Sequence, residues 1–124
     1  MMLSGDRQPQ YVRAFVEDCG YTDVKAQFTK EISERFHLPS FPLIPLASAL
    51  CRLRYGWSFD EASALKQVSR CRLPMLFIHG SADTYVPTSM VNELYAAKPA
   101  PKALWVAPGS AHAMSYHDYP QEYT

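Results

Sequence analysis

The sequence predicts an α/β fold built on parallel strands, and three observations predict it. LPMLFIHG (73–80) is a continuous apolar run rather than an alternating one, the pattern of a strand buried on both faces. ALWVA (103–107) is a second β-prone run, and the segment between them carries helical periodicity. Strand, helix, strand is a unit that crosses over right-handed within one parallel sheet. A third run, YVRAFVE (11–17), rich in Val and aromatics and closed by the turn residues DCGY, adds a strand earlier in the chain, with Asp18 just past its end.

From Thr22 the period changes. Val24, Phe28, Ile32 and Phe36 fall every fourth residue, one apolar stripe on a helix that Pro39 closes. Pro39, Pro42 and Pro45 predict a stiff connection without helix, because proline lacks the N–H donor and fixes φ. Residues 46–54 resume as helix up to Gly56. Ser58 and Glu61 fit the S-x-x-E capping box and predict a helix over 59–68. Residues 22–68 thus read as a helical, cap-like insert rather than a second domain, and 73–124 as the strand–helix–strand part. Pro74 stands where a strand tolerates a missing donor. Thr88 is placed to cap a helix with Met90, Val91, Leu94 and Tyr95 on one face; KPAPK ends it, and Pro108-Gly109 ends the last strand.

Composition narrows the function. With 124 residues the chain has the length of one ordinary domain, and 48% hydrophobic residues against 19% charged ones supply a core. Twelve basic and twelve acidic residues balance, so the basic excess of a nucleic-acid binder is missing. Arg52/Arg54 and Arg70/Arg72 form two small clusters that read as solvated rims. Cys19, Cys51 and Cys71 are widely spaced, without the paired spacing of a zinc site, and read as buried thiols. Three unpaired cysteines point to a reducing compartment, with the cytoplasm as default; an anchor or signal encoded further upstream would change that. The most apolar later stretch, FPLIPLASALC (41–51), holds two prolines and is short of the ~20 residues of a membrane span.

Two titratable residues stand just beyond strand ends: Asp83 in FIHGSADTYVP and His112 in GSAHAMS. In open α/β sheets that edge collects catalytic groups. A carboxylate there accepts a hydrogen bond from one imidazole nitrogen and leaves the other free as a general base. Taken singly, Asp83 reads as a turn former and His112 as a solvated loop residue. Their joint placement, one helix apart, favours a catalytic pair.

PMLFIHGSADTYVP, followed by a helix, a strand and GSAHAMS, resembles the α/β-hydrolase superfamily, in particular its serine aminopeptidase-like and prolyl-oligopeptidase-like branch, where a strand ends in HG-x-x-D-x-x-VP. FVEDCGYTDV and the Pro-rich insert resemble the strand-and-cap region of the same proteins. The resemblance implies the C-terminal part of an α/β-hydrolase fold, Asp83 as catalytic acid and His112 as catalytic base, with no metal or organic cofactor. It also implies a small-molecule ester, amide or peptide substrate, hydrolysed through an acyl-enzyme. Asp18 is the runner-up acid, with a turn role as its simpler reading. His79 reads as structural, and His37 and His117 as surface residues.

The family's nucleophile sits in a G-x-S-x-G elbow before the acid and the base. None of the serines here is flanked by glycines at both positions. Ser4, Ser81, Ser110 and Ser115 come nearest by order or neighbourhood; Ser81 and Ser110 read as turn residues and Ser115 as a local cap. Cys19 follows a strand without the elbow context. The expectation is a serine hydrolase lacking its nucleophile, the C-terminal part of a longer enzyme and inactive alone. The alternatives are a non-catalytic module of the same fold kept for interaction, and an acyltransferase that passes the acyl group to an acceptor other than water. Doubly wound nucleotide binders are disfavoured, because no Gly-rich phosphate loop follows a strand.

Three parallel strands leave an apolar edge unpaired, and unpaired edges template association. The expected behaviour is marginal stability or self-association through that edge, the latter seen as a mass that rises with concentration in multi-angle light scattering. A monomer unfolding cooperatively at all concentrations counts against it.

Overall fold

The computed structural model describes residues 1–124. Its contacts divide the chain into two compact units, residues 1–21 with 64–124, and residues 22–63. No helix is long and apolar enough to cross a membrane.

The first unit holds a sheet of three parallel strands in the order β1-β2-β3: β1 Phe15–Asp18, β2 Met75–Gly80 and β3 Lys102–Ala107. The fold is α/β, as expected. β1 is shorter than 11–17 and includes Asp18, because its partner begins only at Met75. Phe15 N–H reaches the Pro74 carbonyl, while Val12 N–H turns back onto Pro9.

Helices cover both faces of the sheet. Met75, Phe77 and the paired Leu104 face α3 (Ala64–Arg70) and α4 (Thr88–Ala97), with Ala64, Val68, Cys71, Val91 and Leu94 completing the core. On the opposite face Trp105 meets the rings of Tyr119 and Tyr123, from the short helices α5 (Ser115–Asp118) and α6 (Pro120–Tyr123). Thr88 is not the cap predicted. It is the first helical residue, and its hydroxyl donates to the Gly80 carbonyl (3.1 Å), tying the start of α4 to the end of β2.

The second unit contains α1 (Val24–Phe36) and α2 (Ser40–Tyr55). Asp23 caps α1 by accepting from Ala26 N–H at 2.7 Å. The predicted stripe lies on this helix, yet Phe28 and Phe36 remain exposed.

Helix is not excluded at the prolines, contrary to the sequence reading. Phe41 has φ −100° and ψ 131°, and regular helix follows it. Pro42 therefore stands at a helix start, where its missing N–H is harmless. Pro45 has no helical carbonyl four residues back for its ring to strike. Gly56 closes α2 at φ 81°, a left-handed conformation that suits a residue without Cβ.

The capping box forms only in part. Glu61 accepts from the Ser58 N–H at 2.6 Å, but the Ser58 hydroxyl donates to the same carboxylate at 2.8 Å instead of capping. A single turn results. Ser63 then pairs with Asp23 as an antiparallel bridge, an extended geometry that delays the next helix to Ala64. Phe59 is buried against Phe28 edge to face, with centroids 5.2 Å apart. Phe36, Phe41, Leu43 and Trp57 are exposed.

A buried carboxylate lies on β1. Glu17 on β1 is 4% exposed; Gly20 N–H donates to its Oε1, and its Oε2 has no partner. Burial, reinforced by Asp18 and opposed by the Gly20 bond, pushes the Glu17 carboxyl from 4.5 to about 7. The folded chain thus holds a proton that the unfolded chain releases above 4.5. Stability is expected to fall as pH rises from 4.5 through about 7, by at most roughly 3 kcal/mol. Urea midpoints at pH 5 and pH 8 measure that slope, and Glu17→Gln is expected to flatten it.

Candidate active site

β2 and β3 run in a register that pairs Gly80 with Ala107, so the two loops leaving them start at one level of the sheet. Three hydrogen bonds stitch these loops together. Ser81 N–H donates to the Ala107 carbonyl (2.9 Å), and Ala82 N–H to the Ser110 carbonyl (3.0 Å). Gly109 N–H donates to the Ser81 hydroxyl at 2.7 Å. The approach is close enough to require glycine: a Cβ on Gly80 would lie 2.2 Å from the Ser110 carbonyl oxygen. Ser110 is fully buried, and its hydroxyl donates to Asp118 at 2.8 Å, anchoring the second loop to α5.

Within this frame Asp83 and His112 meet. Asp83 Oδ1 accepts from the N–H groups of Tyr85 (2.9 Å) and Val86 (2.8 Å), an Asx-type turn that orients the carboxylate. Oδ2 lies 2.7 Å from His112 Nδ1. An ionised carboxylate only accepts, so Nδ1 carries the proton and Nε2 keeps its lone pair. The Asp83 side chain is fully buried, while that of His112 is 37% exposed. The carboxylate is shielded, while solvent reaches the imidazole ring. Tyr85 packs edge-on against the His112 ring, with centroids 4.9 Å apart.

His79, which the sequence reading took as structural, stands at the end of β2. It is fully buried; its Nε2 donates to the Val86 carbonyl at 2.9 Å and lies 3.4 Å from Asp83 Oδ2, while Nδ1 has no partner. A carbonyl acceptor assigns the proton to Nε2. His79 thereby holds the far end of the turn that orients Asp83.

Cys19 is a buried thiol, as its sequence reading had it, and it lies beside the pair. Its Sγ, an Asp83 carboxylate oxygen and a His112 ring nitrogen all lie within 4.8 Å of one another. It sits directly after β1 with φ 56°, and Ala113 N–H donates to its sulfur at 3.2 Å. Burial, only partly offset by that bond, pushes the thiol up to about 12. A nucleophilic cysteine needs the opposite shift. Here the sulfur anchors the histidine loop as a protonated thiol. The signal was the DCG turn at a strand end, where Cys19 lies beside the Asp83 and His112 loops only because β1 is adjacent to β2.

The other candidates lie elsewhere or are occupied. Asp18, the runner-up acid, accepts from the Tyr123 hydroxyl at 2.8 Å rather than from His112. Ser4 is buried in the N-terminal turn. Ser115 is the first residue of α5 with an unpartnered, buried hydroxyl, so it is no cap. His117 is exposed beside Asp118, and His37 is the exposed left-handed cap of α1. No serine hydroxyl bonds to His112.

Replacing Asp83 by Ala is expected to strand the Tyr85 and Val86 N–H groups and to cost about 2 kcal/mol, read from the urea midpoint. Asp83→Asn keeps one acceptor oxygen and is expected to stay within about 1 kcal/mol of the parent. It should nonetheless abolish the low-field Nδ1–H proton resonance of His112, since an amide N–H₂ cannot accept that hydrogen bond.

No family model matches the chain. It is 37% identical over 102 residues to the uncharacterized protein YqkD of Bacillus subtilis, a match that takes in 82% of this chain. The chain spans about a third (33%) of that relative's length. Among solved structures it resembles the acylaminoacyl peptidase of Pyrococcus horikoshii, with a TM-score of 0.64 and 17% identity over 96% of this chain and 19% of that one. A puromycin-hydrolyzing peptidase of Mycobacterium tuberculosis matches with a TM-score of 0.61 and 18% identity, over 87% of this chain and 16% of the other. An esterase of Pyrococcus furiosus matches with a TM-score of 0.58 and 21% identity, over 94% of this chain and 42% of the other. At such identities the likeness speaks for the fold alone, and that fold, parallel strands flanked by helices, is the one α/β hydrolases share.

Proposed function

We propose that Asp83 and His112 are the acid and the base of a serine hydrolase, and that its nucleophile lies outside these 124 residues. The observation that carries the reading is the 2.7 Å contact between Asp83 Oδ2 and His112 Nδ1, with Oδ1 already committed to two backbone donors. In this reading His112 Nε2 takes the proton from a serine hydroxyl as the oxygen attacks a carbonyl carbon. It then returns that proton to the departing alcohol or amine, leaving an acyl-enzyme. Water, deprotonated by the same nitrogen, completes hydrolysis. Asp83 holds the imidazole in the required tautomer and stabilises the imidazolium.

Several facts support the reading. The fold is that of known peptidases and esterases. Burial keeps Cys19 protonated, which leaves the nucleophile's place open. The chain covers only a third of its curated relative, which leaves room for a serine elsewhere. The substrate class in this reading is an ester, amide or peptide.

Labelling with a fluorophosphonate, which reacts only with an activated serine, tests this. The 124-residue chain is expected to stay unlabelled, while the full-length product of the same gene is labelled. In that product Asp83→Asn should slow ester hydrolysis roughly 10⁴-fold, His112→Ala should abolish labelling, and Cys19→Ser should leave labelling in place. An adduct on one of this chain's own serines, or labelling that survives His112→Ala, refutes the proposal.

A further inference from the structure

The opposite edge of the sheet carries a second candidate site. An open cleft of about 620 Å³ lies among the N-terminal segment, the end of α3 and the approach to β2. Arg7 and Arg13 line it from the N-terminal segment, and Arg70 and Arg72 from the stretch before β2. Arg13 comes two residues before β1 and Arg72 three before β2, so the cleft opens at the N-terminal ends of the strands, away from Asp83 and His112.

Its charge is uncompensated. Four arginines face one aspartate, Asp6, and none of them lies within 4.0 Å of any carboxylate. Arg70 spends its Nε on the Lys66 carbonyl (3.2 Å), which leaves its terminal nitrogens unassigned. In a chain with twelve basic and twelve acidic residues, four of the positive charges converge here. The cleft also holds a buried polar group without a partner: Ser4, 3% exposed, has an Oγ with no hydrogen bond. A buried hydroxyl left unpaired costs free energy unless a ligand or water completes it.

We infer that this cleft binds a phosphate-bearing small molecule of two or more negative charges. Guanidinium groups present paired N–H donors that match phosphate oxygens two at a time, which a lysine ammonium does not. Their convergence in a concave site focuses the potential on an anion, and Ser4 Oγ supplies a neutral donor. The volume falls in the range of small-molecule sites. The site is separate from the hydrolytic pair and does not depend on the function proposed above.

Inorganic pyrophosphate is the probe, titrated into the isotope-labelled chain at low salt and followed by amide shifts. Shifts are expected at Gly5, Arg13 and Leu73, saturating with a dissociation constant at or below about 1 mM and weakening as salt is added. Arg13→Ala with Arg72→Ala should weaken binding at least tenfold, whereas Arg54→Ala, on α2, should leave it unchanged. The single changes Arg13→Gln and Arg72→Gln give the same reading if the double variant is unfolded. Citrate, a polyanion without phosphate, should bind more weakly. No shifts up to about 10 mM pyrophosphate, equal loss with Arg54→Ala, or citrate binding as tightly as pyrophosphate would each overturn the inference.

Discussion

The parallel pairing of β2 with β3, in the register that sets Gly80 beside Ala107, is the constraint on which the candidate site depends. It brings two loops that are distant in sequence to one level, and their backbones are then sewn together through Ser81, Ala82, Gly109 and Ser110. A slip of one residue would send every side chain on the strand to the other face and separate Asp83 from His112. The absence of a Cβ at Gly80 is part of the same constraint, because the histidine loop lies where that carbon would be.

Given that register, the Asp83 carboxylate is held on both sides. One oxygen of Asp83 is fixed by backbone donors in its own turn, and the other is left for the imidazole. His79 secures the turn from below through the Val86 carbonyl. Two side chains thus serve one orientation, that of the His112 ring. This is the kind of support a general base needs, since its usefulness depends on a nitrogen being both deprotonated and aimed.

β1 contributes differently. Its end places Cys19 against the histidine loop, where the buried sulfur accepts from Ala113 and stays protonated. Its middle buries Glu17, a carboxyl whose proton the fold retains into the neutral range. Both groups are polar, both are enclosed, and in both desolvation is the larger influence on ionisation. The helical unit shows the reverse pattern: Phe36, Phe41, Leu46, Leu50 and Leu53 are apolar and exposed.

The sequence by itself determined most of the element types and singled out Asp83 and His112. Continuous apolar runs, a helical stripe and turn residues are local signals, and they marked β2, β3, α1 and α4 to within a few residues. Asp83 and His112 stood out because each follows such a run. Local signals failed where a distant partner decided. β1 is short because β2 starts late; Ser58 did not open a helix because Ser63 pairs with Asp23; Thr88 turned from cap to tether because Gly80 lies beside it. Only the tertiary structure joined Asp83 to His112, set Cys19 beside them, and brought Arg7 and Arg13 to the same cleft as Arg70 and Arg72, because each meeting joins segments far apart along the chain and no periodicity records who meets across a sheet.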